Sequence, residues 1–171
     1  RPVDLTTPDA LHKALKNTFV YWASTVSISM TLGLLLAVTL SQKLKGVAVF
    51  RAAYYLPNVL SMVAISMMWL WIYDRGALFA LMMIVRFGFP RSDGLFDQNL
   101  ALGCIIVPSI WAQLGFNMVI YLAGLQNIPT ELYEAATVDG ASPIKQFFRI
   151  TIPMLRPITF FIFVMSSIKA F

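Results

Sequence analysis

Residues 98–153 decide the fold. Their first part, QNLALGCIIVPSIWAQLGFNMVIYLAGLQNIPT (98–130), contains no charged residue. It runs directly into ELYEAATVDGASPIKQFFRITIP (131–153), where acidic, small, basic and aromatic residues follow in tight order. The first part exceeds the roughly 20 apolar residues that a helix needs to cross the hydrocarbon layer. The second is too polar to remain in lipid, and from Pro157 the chain is apolar again until Lys169. This pattern predicts helices that leave the membrane at 126–156 and re-enter it.

Two more charge-free runs lie upstream, Asn17 to Gln42 and Ala52 to Tyr73. The expected architecture is one all-α polytopic transmembrane domain over 1–171. Its spans fall at about 17–42, 52–73, 99–125 and 157–171. Composition agrees: 58% of the residues are hydrophobic and 12% charged, against about 25% charged in an ordinary soluble domain. Mean hydropathy is +0.74. The chain opens on Arg1 and stops inside an apolar run, so it is read as an internal piece of a longer protein, incomplete at both ends.

Tyr21, Trp22, Tyr54, Tyr55, Trp69, Trp71 and Tyr73 cluster near span ends, as an interfacial belt does. Pro57 and Pro108 lie within spans, and each removes a backbone donor, so both helices are expected to kink. The connection from Ser41 to Arg51 is short and basic. The one from Asp74 to Asp97 holds an apolar stretch, Gly76 to Val85, too short to span and read as an interfacial helix.

The net charge of +5 comes from scattered residues that flank the spans, which argues against a nucleic-acid surface. Cys104 sits in an apolar run and has no disulfide partner in the sequence. Parity of the spans places Lys43, Lys45, Arg51, Lys145, Arg149 and Arg156 on one side. Arg1, Lys13, Lys16, Arg75, Arg86 and Arg91 fall on the other. The two sides balance, so positive charge does not orient the protein.

The polar island reads as two short helices. Thr130 follows Pro129 and is expected to cap a helix from Glu131, with Glu131 and Glu134 in the favourable first turns. Ala135 and Ala136 are strong helix formers of little bulk. Gly140 can take the left-handed conformation of a C-cap, within the turn Asp139-Gly140-Ala141. Ser142 caps the second helix and Pro143 fits its first turn. Ile144, Phe147 and Phe148 share one apolar face, with Lys145 and Arg149 on another. Pro153 is expected to end this helix and Pro157 to begin the next span.

The island resembles the EAA loop of inner-membrane permease subunits of ATP-binding-cassette (ABC) importers. That pattern is Glu-Ala-Ala, three residues, Gly, nine residues, Ile, one residue, Leu, Pro. Glu134, Ala135, Ala136, Gly140, Ile150 and Pro153 match it, and Ile152 replaces the Leu. The runs LKNTFVYWASTVSISMTLGLLLAV, RAAYYLPNVLSMVAISMMWLWIYD and WAQLGFNMVIYLAGLQNIPTELYEAA resemble the sugar-type branch, the maltose and glycerol-phosphate permease class. The likeness therefore covers nearly the whole chain. It implies a type I importer permease core with four of six spans present.

The resemblance implies that 126–156 is a cytoplasmic coupling loop of a multi-pass protein in a bacterial or archaeal inner membrane. Glu134, Ala135, Ala136, Asp139, Gly140, Ala141, Ile150 and Pro153 are its ATPase-coupling residues. The implied partners are a dimer of ATPase subunits, a second permease, an extracytoplasmic solute-binding protein and membrane lipid. ATP and magnesium belong to the ATPase, because this sequence has no G-x-x-x-x-G-K-[ST] phosphate loop.

No catalytic or metal constellation is expected with one His, one Cys and no carboxylate well inside a span. Polar residues within spans tend to face a bundle interior or a cavity. Ser109, Gln113 and Asn117 form a stripe on the third span, and Thr159 and Ser166 lie on the fourth, beside Ser167. These are candidate substrate-path residues, with interhelical hydrogen bonding as the competing role. Lys169 is read as snorkelling to the outer interface and His12 as solvated. Two alternatives stay open, an ABC importer of phosphate, amino acids or oxyanions and an ATP-independent secondary transporter.

Overall fold

The computed structural model describes residues 8–41, 47–73 and 101–170. The expected interfacial helix at Gly76–Val85 lies outside them, as do Lys43 and Lys45. Among the described residues, seven helices follow in order: α1 (Pro8–Ser41), α2 (Val47–Val59), α3 (Met62–Tyr73), α4 (Ala101–Gln126), α5 (Thr130–Val138), α6 (Pro143–Met154) and α7 (Arg156–Ala170). No strand occurs among the described residues.

Among the described residues, α1 and α4 are each long and apolar enough to cross a membrane, and counting each of two bent pairs, α2 with α3 and α6 with α7, as one span gives four candidate spans. At 34 residues, α1 is about 51 Å long, more than the roughly 30 Å hydrocarbon core. Its first turns carry the exposed His12, Lys13 and Lys16 beyond the charge-free run. Several hydroxyls along the spans bond back to their own helix. Thr31 donates to the Ser27 carbonyl (2.8 Å), Thr39 to Leu36 (2.9 Å) and Ser66 to Met62 (2.9 Å). These groups therefore need no water at membrane depth.

The core lies where α1, α4 and α7 meet. Ala37 and Leu40 from α1, Met118, Tyr121 and Leu122 from α4, Ile128, Leu155 and Ile162 are all buried there. Lipid-embedded helices gain little from the hydrophobic effect and associate by close packing, often at small residues. Gly33 of α1 lies against the Asn117 side chain, and Gly124 lies against Leu155 and Ile158. Gly115 of α4 faces the backbone of Tyr54 and Tyr55, which brings α2 directly onto α4.

The run 52–73 kinks as expected, breaking between Val59 and Met62 with a bend of 99°, whereas two other expectations need correction. Pro57 sits inside α2, one turn ahead of the break, and leaves the Ala53 carbonyl without its usual donor. Thr130 does not cap α5. It is the first helical residue, Pro129 occupies the cap position in extended conformation, and no side chain caps it.

Pro153 does not end α6 either. The helix runs through it after a π-helical turn at Phe147–Thr151. A proline ring clashes with the carbonyl four residues back, and a widened turn just before it relieves that clash. The chain bends instead at Leu155, by 63° between α6 and α7.

Candidate functional site

α5 and α6 form a bracketed helix pair at one end of the bundle. α5 closes in a Schellman turn: Gly140 N–H donates to Thr137 (3.0 Å) and Ala141 N–H to Ala136 (2.9 Å). Gly140 makes this possible with φ +74°. α6 opens with the Ser142 hydroxyl accepting from Lys145 N–H (3.4 Å) and Pro143 in the first turn.

Two links then tie the helices side by side. The Gln146 amide donates to the Thr137 hydroxyl (3.0 Å) and to the Ala141 carbonyl (3.2 Å). At the other end of the pair, the Tyr133 and Thr151 hydroxyls share a hydrogen bond of 2.8 Å. Sequence reasoning passed over Tyr133, Thr137, Gln146 and Thr151. Their pairing crosses the turn and has no local spacing signature.

The residues singled out from the island divide into two groups. Glu134, Ala135, Asp139 and Gly140 are exposed, and Ala136 and Ala141 half-exposed. Ile150 packs against the core cluster and Pro153 is half-buried within α6, so both anchor the pair to the bundle. Between the exposed polar groups stand large apolar side chains: Val138 is 89% exposed, Ile144 72% and Phe148 64%. The edge of Phe147 packs against Phe148, with ring centroids 5.3 Å apart. These three apolar side chains stand open on a short polar helix pair.

Removing the Tyr133 hydroxyl leaves Thr151, which is 5% exposed, without its side-chain partner. Tyr133→Phe should cost about 1 kcal/mol of local stability and raise amide exchange across 131–151 about five-fold. Exchange unchanged from wild type would show that this link does not hold the pair.

A second feature lies within the bundle. A cavity of about 420 Å³ is walled by Tyr21 of α1, by Ile65, Ser66, Trp69 and Tyr73 of α3, and by Pro108, Ser109 and Ala112 of α4, among others. Ser109 borders it and accepts a hydrogen bond from Tyr21 Oη (2.9 Å). Deeper, Asn117 is fully buried. Its amide donates to Ser29 of α1 (3.2 Å), and its carbonyl oxygen accepts from Ser166 of α7 (3.5 Å). Thr159 is hydrogen-bonded to Tyr121, and Ser167 accepts from Trp22 Nε1 (3.0 Å).

In this conformation Asn117, Thr159 and Ser166 therefore face neighbouring helices and not the cavity. Short polar side chains at a helix seam find protein partners across it. Gln113 differs: its Oε1 is enclosed and has no hydrogen-bond partner among the described residues.

A bundle of long apolar helices with an exposed, bracketed EAA-type helix pair defines the membrane component of a transport system. A family model for binding-protein-dependent transport system inner membrane components matches residues 29–171, and the chain belongs to that family. It is 42% identical over 93% of its length to the Probable ABC transporter permease protein YesP of Bacillus subtilis. It is 37% identical over 86% to the xylose/arabinose import permease protein XacH of Haloferax volcanii. Against the sn-glycerol-3-phosphate transport system permease protein UgpA of Agrobacterium fabrum it is 34% identical over 92%.

These matches cover 52%, 47% and 54% of the relatives, so the chain spans about half their length. The fold matches a chain of a bacterial ABC transporter involved in the import of the acidic polysaccharide alginate. The TM-score is 0.81, at 25% identity, over 96% of this chain and 58% of that one.

Proposed function

We propose that this chain is part of a permease subunit of an ABC importer for a carbohydrate or related polyol, and that α5 and α6 couple it to a separate ATPase. The carrying observation is the exposed apolar tip of Val138, Ile144 and Phe148 on a helix pair that bears Glu134, Ala135, Ala136 and Gly140 at the motif spacing. The tip faces the cytoplasm, and residues 8–20 lie toward the outside. ATP and magnesium act in the ATPase dimer. Closure of that dimer moves α5 and α6, and through Ile150 and Leu155 the movement reaches the core. A second permease and an extracytoplasmic binding protein complete the assembly.

The carbohydrate reading is supported by relatives named for xylose and arabinose, glycerol phosphate and alginate. The cavity suits it, because aromatic faces from Tyr21, Trp69 and Tyr73 stand beside the hydroxyls of Ser66 and Ser109. The substrate path begins at Ser109 and Gln113, and Asn117, Thr159 and Ser166 hold the helices that wall it.

The test is ATP hydrolysis by the full complex in liposomes, with binding protein loaded by different solutes. Sugars should stimulate it, whereas stimulation by an amino acid or an oxyanion alone overturns the substrate class.

A further inference from the structure

We infer that Thr25 of α1 and Gln113 of α4 form a switchable rung, open in this conformation and hydrogen-bonded in the opposite conformation of the transport cycle, an inference that rests on the permease reading above. Tyr21, Thr25 and Ser29 recur every four residues along α1, and Ser109, Gln113 and Asn117 do so along α4. The outer two pairs are bonded across the seam: Tyr21 Oη donates to Ser109 (2.9 Å) and the Asn117 amide to Ser29 (3.2 Å). Both bonds join residues 88 apart in sequence, so α1 and α4 run parallel in one fixed register. Thr25 and Gln113 stand at the same offset, midway between the bonded pairs and about 6 Å along each helix from either. The register sets them opposite each other.

That middle rung is empty. Thr25 is 0% exposed. Its Oγ1, like Gln113 Oε1, is closed off from water and has no hydrogen-bond partner among the described residues. Other threonines of α1 avoid this state, since Thr31 and Thr39 donate to carbonyls of their own helix. Enclosed polar atoms without partners are costly, above all at membrane depth, where no water substitutes.

Here each atom is what the other lacks, a hydroxyl donor and an amide acceptor. A conformation that joins them satisfies both at once, so the pair favours that conformation over the present one. The bonded pairs on either side hold the register, and the rung closes by a swing of the Gln113 side chain without any slide of α1. Gln113 lies one turn deeper than Ser109, which borders the cavity. The swing therefore moves an amide to or from the inner end of the cavity and ties the state of the path to the α1–α4 seam.

The experiment uses the complete transporter with its ATPase, once free of nucleotide and once trapped with vanadate after ATP hydrolysis. Thr25→Val and Gln113→Leu remove the two partners singly and together. Melting of the four proteins in each condition gives the coupling between the two positions. It should be absent in one condition and about 3 °C in the other. Where it is absent, Thr25→Val should melt no lower than wild type, because its hydroxyl has no bond to lose. Wild type itself gives a second reading that needs no variant to fold. Structures determined in both conditions should show Thr25 Oγ1 about 2.8 Å from Gln113 Oε1 in one condition only. Coupling that is equal in both conditions, whether zero or not, overturns the inference, as does a rung open or closed in both structures. If sugars still stimulate ATP hydrolysis in liposomes, only the rung falls. If no solute stimulates hydrolysis, the permease reading fails as well.

Discussion

Gly140→Leu should abolish transport while the membrane fold survives. Gly140 holds φ at +74°, and a side chain in the left-handed region costs about 1–2 kcal/mol. A Cβ placed there meets nothing within 4 Å, so the chain itself has room for leucine and the bundle does not suffer. What changes is the Schellman turn. Leucine draws the backbone out of that conformation, the Gly140 and Ala141 donors leave Thr137 and Ala136, and α5 and α6 lose their mutual angle.

Leucine also adds bulk to the tip that carries Val138 and Ile144. Glu134→Arg should have the same outcome by reversing an exposed charge on that face. The measurements are solute uptake, recovery of the ATPase with the purified permease and thermal stability in detergent. Either variant transporting at the wild-type rate and still retaining the ATPase would sink the coupling role.

Gly115→Leu should prevent folding outright. A Cβ on Gly115 would overlap the Tyr54 carbonyl and approach Tyr55 Cα to 2.9 Å. Those are backbone atoms of α2 and cannot swing aside as a side-chain end does, so α2 must leave α4. Overpacking of this kind costs about 3 kcal/mol or more. Gly103→Leu, in the same helix, is the control, because its Cβ meets nothing within 4 Å. Size-exclusion profiles and melting in detergent should show Gly115→Leu aggregated or lost and Gly103→Leu unchanged. A monodisperse Gly115→Leu with the wild-type melting point refutes direct helix contact at this glycine.

Much of the island was legible because its chemistry is local. The φ of Gly140, the cap at Ser142 and the place of Pro143 depend only on near neighbours, and they emerge as read. The helical class followed equally from charge-free length. The rest depended on distant contacts. Thr130 is as good a cap as Ser142 by identity, yet the turn through Asn127 and Ile128 delivers Pro129 to that position. Pro153 carries the same missing donor as any proline, and the widened turn before it is invisible in its neighbours.

The neighbour of the exposed Lys169 was hidden for the same reason. Its sequence position suggests a route along α7 to the interface, and only the packing of α7 on α4 puts Phe116 beneath it. The stripe of Ser109, Gln113 and Asn117 was correctly placed on one face of α4. Whether each residue met a helix or an opening was decided by α1 and α7, which no spacing within α4 can reveal.

The hydrogen bonds that α1 makes with its neighbours work like the teeth of a rack. Tyr21, Trp22 and Ser29 engage Ser109, Ser167 and Asn117 at successive heights. A slide of α1 by one helical turn, about 5.4 Å, would disengage every tooth at once and leave polar groups stranded in a greasy seam. Axial sliding is therefore the motion this trio resists most. Tilting α1, α4 and α7 as one block keeps all the teeth meshed. Relative displacement is thereby directed to the bends of the chain, at Val59–Met62 and at Leu155.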